Sequence, residues 1–82
     1  SSEFVSTPVE VLLSQEGREK IEEAINELPV IYRTVLVLRD VEGFSLKEVS
    51  QITDSTVAAV KSRLHRARNA VRENLSTYFR ID

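Results

Sequence analysis

The stretch SLKEVSQITDSTVAAVKSRLHRARNAVR, residues 45–72, decides the fold. Ser45 with Glu48 three residues later has the form of a capping box, in which each residue satisfies a backbone N–H left open at a helix start. Leu46, Val49 and Ile52 then recur at helical spacing, which predicts a short helix with one apolar stripe. Ser50 is small enough to let a second helix cross closely. Thr53-Asp54-Ser55-Thr56 interrupts the pattern. Ser55 or Thr56 can cap a second helix, and Asp54 tolerates a left-handed backbone better than most non-glycine residues.

Beyond that break, Val57, Val60, Leu64, Ala67, Val71 and Leu75 are spaced three and four apart and form one inward stripe of a longer helix. At about 100° per residue, Ala58, Lys61, Ser62, His65, Arg66, Asn69 and Arg72 fall on the opposite face, with Arg63 and Arg68 on its flanks. Residues 55–72 hold five Lys or Arg and no carboxylate. Five cations by themselves describe a solvated face. Their position after a helix and a tight turn makes the pair a helix-turn-helix, and such a face suits the DNA major groove. Lys and Arg neutralise phosphates or donate to guanine, while small Ala58 and Ala59 allow close approach.

The rest of the chain predicts two more helices. Thr7 caps a first one, over about residues 8–27, with Pro8 at its opening position and Val11, Leu12, Leu13, Ile21, Ala24, Ile25 and Leu28 on its apolar side. Gly17 is its weak point. Glu16, Glu19, Glu22, Glu23 and Glu27 line its outer surface and read as a solvated face. The second helix runs over about 29–40, with Val35, Leu36 and Leu38 as core. Val30, Ile31, Tyr32 and Val37 crowd its other sides. That surplus is expected to be buried by the first helix, the other option being a partner-binding groove. The helix-turn-helix pair occupies about 45–53 and 56–78, and residues 1–6 read as a loose tail. The expected fold is all-α: a four-helix domain ending in a helix-turn-helix with a long basic recognition helix.

Composition narrows the function classes. Eighty-two residues allow one domain with a small core. There is no cysteine, hence no disulfide or thiolate site, and no apolar run of membrane-spanning length, so a cytoplasmic protein without membrane insertion is expected. No nucleophile–base pair, glycine-rich phosphate loop or carboxylate set of recognisable spacing is present, so the expectation is a non-enzyme without cofactor. His65 is the single histidine, which argues for a groove contact over metal or acid–base chemistry. Charge is uneven. Residues 1–53 carry five Lys or Arg against ten Asp or Glu, and residues 54–82 carry six against three. The basic half is expected to face DNA and the acidic half to face away.

The run LPVIYRTVLVLRDVEGFSLKEVSQITDSTVAAVKSRLHRAR, residues 28–68, resembles the C-terminal promoter-recognition domain, region 4, of bacterial sigma factors of the extracytoplasmic-function (ECF) group in the sigma-70 family. Leu28-Pro29, Leu38-Arg39-Asp40, Glu42-Gly43, Ser45, Glu48-Val49 and Val60-Lys61-Ser62-Arg63-Leu64-His65-Arg66-Ala67-Arg68 carry the likeness. The resemblance implies sequence-specific binding of double-stranded promoter DNA at the −35 element, as part of a sigma factor directing transcription initiation. Lys61, Ser62, His65 and Arg66 match the family positions that meet that element, and Arg39 matches one near DNA, the other reading being a structural ion-pair partner. Thr56 is expected to combine capping with a phosphate contact, and Arg63 and Arg68 to meet phosphates or acidic neighbours. The full expected DNA-binding set is Arg39, Thr56, Ala58, Ala59, Lys61, Ser62, Arg63, His65 and Arg66.

The resemblance also implies RNA polymerase core as a partner, through its β flap on the apolar surface of the first helices, and an anti-sigma factor as a competitor for that surface. The isolated domain is expected to be a monomer. Thr53, Asp54 and Ser55 stand where the family commonly has leucine, glycine and an apolar residue, and Ala58-Ala59 stand for glycine and threonine. A less stable junction at the turn is expected from this. Two other readings compete: the output domain of another transcriptional regulator, and a protein-interaction module whose basic helix binds an acidic partner.

Overall fold

A computed structural model describes residues 7–79; the expected tail at residues 1–6 lies outside the described residues. Among them the chain is all-helical, with α1 (Pro8–Leu13), α2 (Gln15–Asn26), α3 (Val30–Leu36), a π-helical turn (Val37–Val41), α4 (Leu46–Ile52) and α5 (Val57–Phe79). The all-α expectation holds. The count does not: the first expected helix is two, and the second changes winding near its end.

The break in the first helix falls at Ser14, three residues before Gly17. Thr7 and Glu10 form a reciprocal capping box that starts α1 (3.0 and 3.2 Å). Ser14 then takes extended backbone (ψ 165°), and its Oγ accepts from the Gly17 N–H at 3.1 Å, starting α2 afresh. A serine that caps competes successfully with the helix passing through it. The end of α2 is closed from a distance, because the Arg33 guanidinium donates to the Asn26 carbonyl at 3.0 Å.

At the far end of α3 the Glu42 N–H bonds the Val37 carbonyl at 2.9 Å, five residues back, which is the wider π winding. Gly43 (φ +82°) reverses the chain, and the Phe44 N–H returns to the Leu38 carbonyl at 3.0 Å. Ser45 and Glu48 close the second capping box at 2.8 and 3.0 Å and start α4. The Ser45 N–H holds the Glu48 carboxyl below its ordinary range. Asp54 adopts the left-handed conformation (φ +50°) that the turn requires.

The core is built on α5. Val60, Leu64 and Ala67 are sealed against Leu28, Val35, Leu36 and Val49, with Ile25, Tyr32, Leu38, Phe44, Leu46 and Val71 packed around them. Ser50 is buried where α4 crosses α5, and its hydroxyl donates to the Lys47 carbonyl at 2.6 Å. Three expected stripe residues are not core: Leu13 is 64 % exposed, Ile52 is 55 % exposed and Val57 is exposed. The expected covering of α3 also fails. Val30 and Ile31 remain exposed, because α2 packs along α5 and leaves that side of α3 open.

Leu64 and Ile52 therefore make a test pair. Leu64→Ala is expected to cost about 2–5 kcal/mol, a large share of the about 5–15 kcal/mol of a small domain. Ile52→Ala is expected to stay within about 0.5 kcal/mol, as surface changes do. Thermal melts followed by circular dichroism separate the two.

Candidate nucleic-acid interface

Polar contacts close the turn that follows α4. The Thr53 hydroxyl donates to the Val49 carbonyl at 2.7 Å and lies 2.7 Å from the Ser55 hydroxyl, while the Ser55 N–H bonds the Ser50 carbonyl at 2.9 Å. These bonds stand in the place of apolar burial under the turn. Thr56 caps α5, its Oγ1 accepting from the Ala59 N–H at 3.0 Å. Residues 56–58 at that helix start are exposed, and open N–H groups of a helix's first turn favour an anion.

Along α5 the outward surface has a low crest and two cationic flanks. Ala58, Ser62 and His65 are exposed along the crest, followed by half-buried Asn69. Exposed Lys61, Arg68 and Arg72 lie on one flank, and Arg63 and Arg66 on the other. The Lys61 flank borders a groove of about 350 Å³ lined by Arg39, Leu46, Lys61, Leu64, His65 and Arg68. The Arg63 flank borders a second, of about 380 Å³, lined by Ile31, Thr34, Ile52, Thr53 and Arg63. Arg66 is exposed, with its guanidinium 3.5 Å from the Tyr32 hydroxyl.

Of the nine expected DNA-binding residues, Thr56, Ala58, Lys61, Ser62, His65 and Arg66 lie exposed on or beside the crest. Ala59 and Arg63 are half-buried, Arg63 in the groove between α3 and the end of α4. Arg39 is half-buried too, and donates to the Phe44 carbonyl at 3.0 Å, tying the π turn to the start of α4. Sequence reasoning left Asn69 out of the set. Its amide lies 3.2 Å from His65 Nε2, and its Oδ1 accepts from Arg72 at 3.4 Å, linking three crest and flank residues. The i, i+4 spacing of His65 and Asn69 is the signal that pointed to it.

One flank cation is engaged. Arg68 Nε and Nη2 donate to the two oxygens of Asp40 at 2.8 and 2.7 Å, a two-point fork across 28 residues of chain. The hydrogen bond from Arg68, with the charges of Arg68 and Arg39, holds the Asp40 carboxyl below its ordinary range, and Asp40 in turn raises Arg68. The acidic half thus does not wholly face away: Asp40 belongs to it and lies against the basic helix. Glu27, also from that half, accepts from Asn74 of α5 at 2.8 Å.

Residues 18–71 match the family model described as "Sigma-70, region 4". The chain belongs to the sigma-70 region 4 family. This region 4 chain is 40 % identical over 68 residues to the ECF RNA polymerase sigma factor SigW of Bacillus subtilis, covering 83 % of the chain and 36 % of that protein. It is 37 % identical over 67 residues to the ECF RNA polymerase sigma-E factor of Escherichia coli K12, covering 82 % of the chain and 35 % of that relative. The sigma-E factor of Salmonella typhimurium LT2 matches to the same extent. These likenesses put the region 4 chain in the ECF group. It spans about a third of the length of the curated relatives it matches. No solved structure matches. No helix among the described residues is long and apolar enough to cross a membrane, and no group of three metal-ligating side chains is found among them.

The Asp40–Arg68 fork gives a pH prediction. Asp40 titrates lower in the folded than in the unfolded chain, so its contribution is fully present above the unfolded pKa, near about 4, and is lost as pH falls through the depressed folded value. The pair is half-exposed, and about 0.2–1 kcal/mol is expected from it. Chemical denaturation at pH 7 and pH 3 should show the difference between the native chain and Asp40→Asn narrowing at the lower pH.

Proposed function

We propose that this region 4 domain binds double-stranded promoter DNA at the −35 element, as the promoter-recognition part of a sigma factor in transcription initiation. The crest of α5 carries the reading: small residues run along its middle and cations stand on both flanks. A helix of this shape enters the major groove with Ala58 and Ser62 against base edges, while the flanks meet the two phosphate strands. Lys61 and Arg66 are the base readers on this proposal, with Ser62, His65 and Asn69 between them. Thr56 and the first N–H groups of α5 take a phosphate, Arg63 takes another, and Arg39 and Ala59 shape the approach.

Binding is monomeric and weak without a tether, and attachment to RNA polymerase raises the local concentration of the domain at its promoter. The exposed pair Ile31 and Ile52, on the side of the domain bordered by Arg63, is the proposed seat of the polymerase β flap and of any anti-sigma factor that competes with it. Such a protein works in the cytoplasm and has no catalytic group of its own.

Selection from a randomised duplex pool at low salt tests the DNA reading. One short motif is expected to be enriched, and Lys61→Ala and Arg66→Ala are each expected to weaken it by about 1–3 kcal/mol and to relax preference at one base. With Arg68 engaged and Lys61 and Arg66 on bases, Arg63 and Arg72 are left for phosphates, so log K should fall with log salt at a slope of about −1.8. Salt-sensitive binding without a motif would sink direct readout. For the polymerase contact, Ile31→Asp is expected to abolish co-purification with polymerase core and to leave duplex binding unchanged; loss of both would mean that the surface is not separate.

A further inference from the structure

Among the described residues, two ion pairs are formed, Lys20–Glu23 within α2 and Arg68–Asp40. Arg68 is therefore the one cation of α5 held by a carboxylate among the described residues. It is also well placed to do something else. It lies two helical turns beyond Lys61 on the same flank, on the rim of the groove that Lys61, His65 and Arg39 share. A guanidinium there is within reach of the phosphate strand that the Lys61 flank would meet.

The fork is a poor stability device. Its side chains are 52 % and 36 % exposed, and pairs at that exposure contribute little to folding. Yet its geometry is the strong bidentate kind, at 2.7 and 2.8 Å, and a phosphate oxygen must displace a carboxylate to win the same donors. Asp40 is brought to this position by the π turn, whose other anchor, the Arg39 bond to the Phe44 carbonyl, fixes the turn against α4.

We propose that Asp40 sets the sequence-independent part of DNA affinity: by holding Arg68 in a two-point fork, it withholds one cation of the recognition helix from DNA phosphates. Phosphate contacts strengthen binding to every sequence equally, whereas base contacts discriminate. Withholding one cation therefore weakens binding to every duplex and leaves the discrimination made by the base readers of the crest unchanged. The proposal rests on the DNA reading above.

The test is a salt titration of the native chain, Asp40→Asn, Arg68→Gln and the double variant against a random-sequence duplex and an enriched-motif duplex, followed by fluorescence anisotropy, with circular dichroism melts to verify folding. Asp40→Asn is expected to bind the random and the enriched-motif duplex several-fold more tightly alike, to steepen the salt slope by about 0.9, and to leave the ratio of motif to random affinity unchanged. Arg68→Gln is expected to keep the native slope, and the double variant to match it. That last comparison separates release of Arg68 from mere removal of a negative charge, because a charge effect would persist when Arg68 is gone. An unchanged slope in Asp40→Asn overturns the proposal. So does a slope made shallower by Arg68→Gln, which would mean that Arg68 already leaves Asp40 on binding; this holds even if Asp40→Asn does not fold. If the native chain binds neither duplex, the DNA reading itself falls and takes the proposal with it, whereas native binding with an unchanged slope in Asp40→Asn sinks the proposal alone.

Discussion

The burial of Val60, Leu64 and Ala67 against Val35 and Val49 is the constraint on which the other features of this domain depend. These side chains share one stripe of α5, so burying them fixes the rotation of the helix about its own axis. Once that rotation is set, Ala58, Ser62 and His65 must face outward and the cations must flank them. The candidate DNA-facing surface is thus a geometric consequence of the core. A change that rotated α5 by a fraction of a turn to fill a cavity would also redirect every side chain of the crest.

The turn between α4 and α5 is the second constraint, because it joins the two helices of the helix-turn-helix. Hydroxyl and carbonyl contacts of Thr53, Ser55, Val49 and Ser50 close it where an apolar plug would otherwise be expected. Hydrogen bonds are directional and apolar contacts are not, so a turn built this way trades burial for a defined geometry. Asp54 occupies the left-handed position without glycine's freedom, which makes the turn costlier to form and also narrows its alternatives.

Local chemistry was legible in the sequence and distant partnership was not. The Ser45–Glu48 capping box, the Thr7 cap, the left-handed Asp54 and the α5 stripe each depend on residues within a turn or two of one another, and each could be read from spacing. Ile52 misled because α4 has only seven residues: its stripe has the right period, but the third member lies past the reach of α5. The break at Ser14 went unread because glycine drew attention as the weak point while a serine did the capping. A π turn has no compositional signature, since it differs from an α turn only in which carbonyl a given N–H selects. The candidate surface was legible to the extent that it lies on one helix; the engagement of Arg68 was not, because its partner is 28 residues away.

The placement of Asp40 also qualifies what charge segregation means in a domain this small. Read as a sum, residues 1–53 are acidic and residues 54–82 basic, which suggests two opposed faces. Folding brings α3 and the π turn against α5, however, so a carboxylate from the acidic half ends beside a cation of the basic half at hydrogen-bonding distance. The surface potential met by a polyanion is then set by which cations remain unpaired, not by how many the helix contains. Lys61, Arg63, Arg66 and Arg72 are unpaired among the described residues and Arg68 is not. On the proposed reading, duplex binding is a competition in which one of the domain's own carboxylates takes the part of a phosphate.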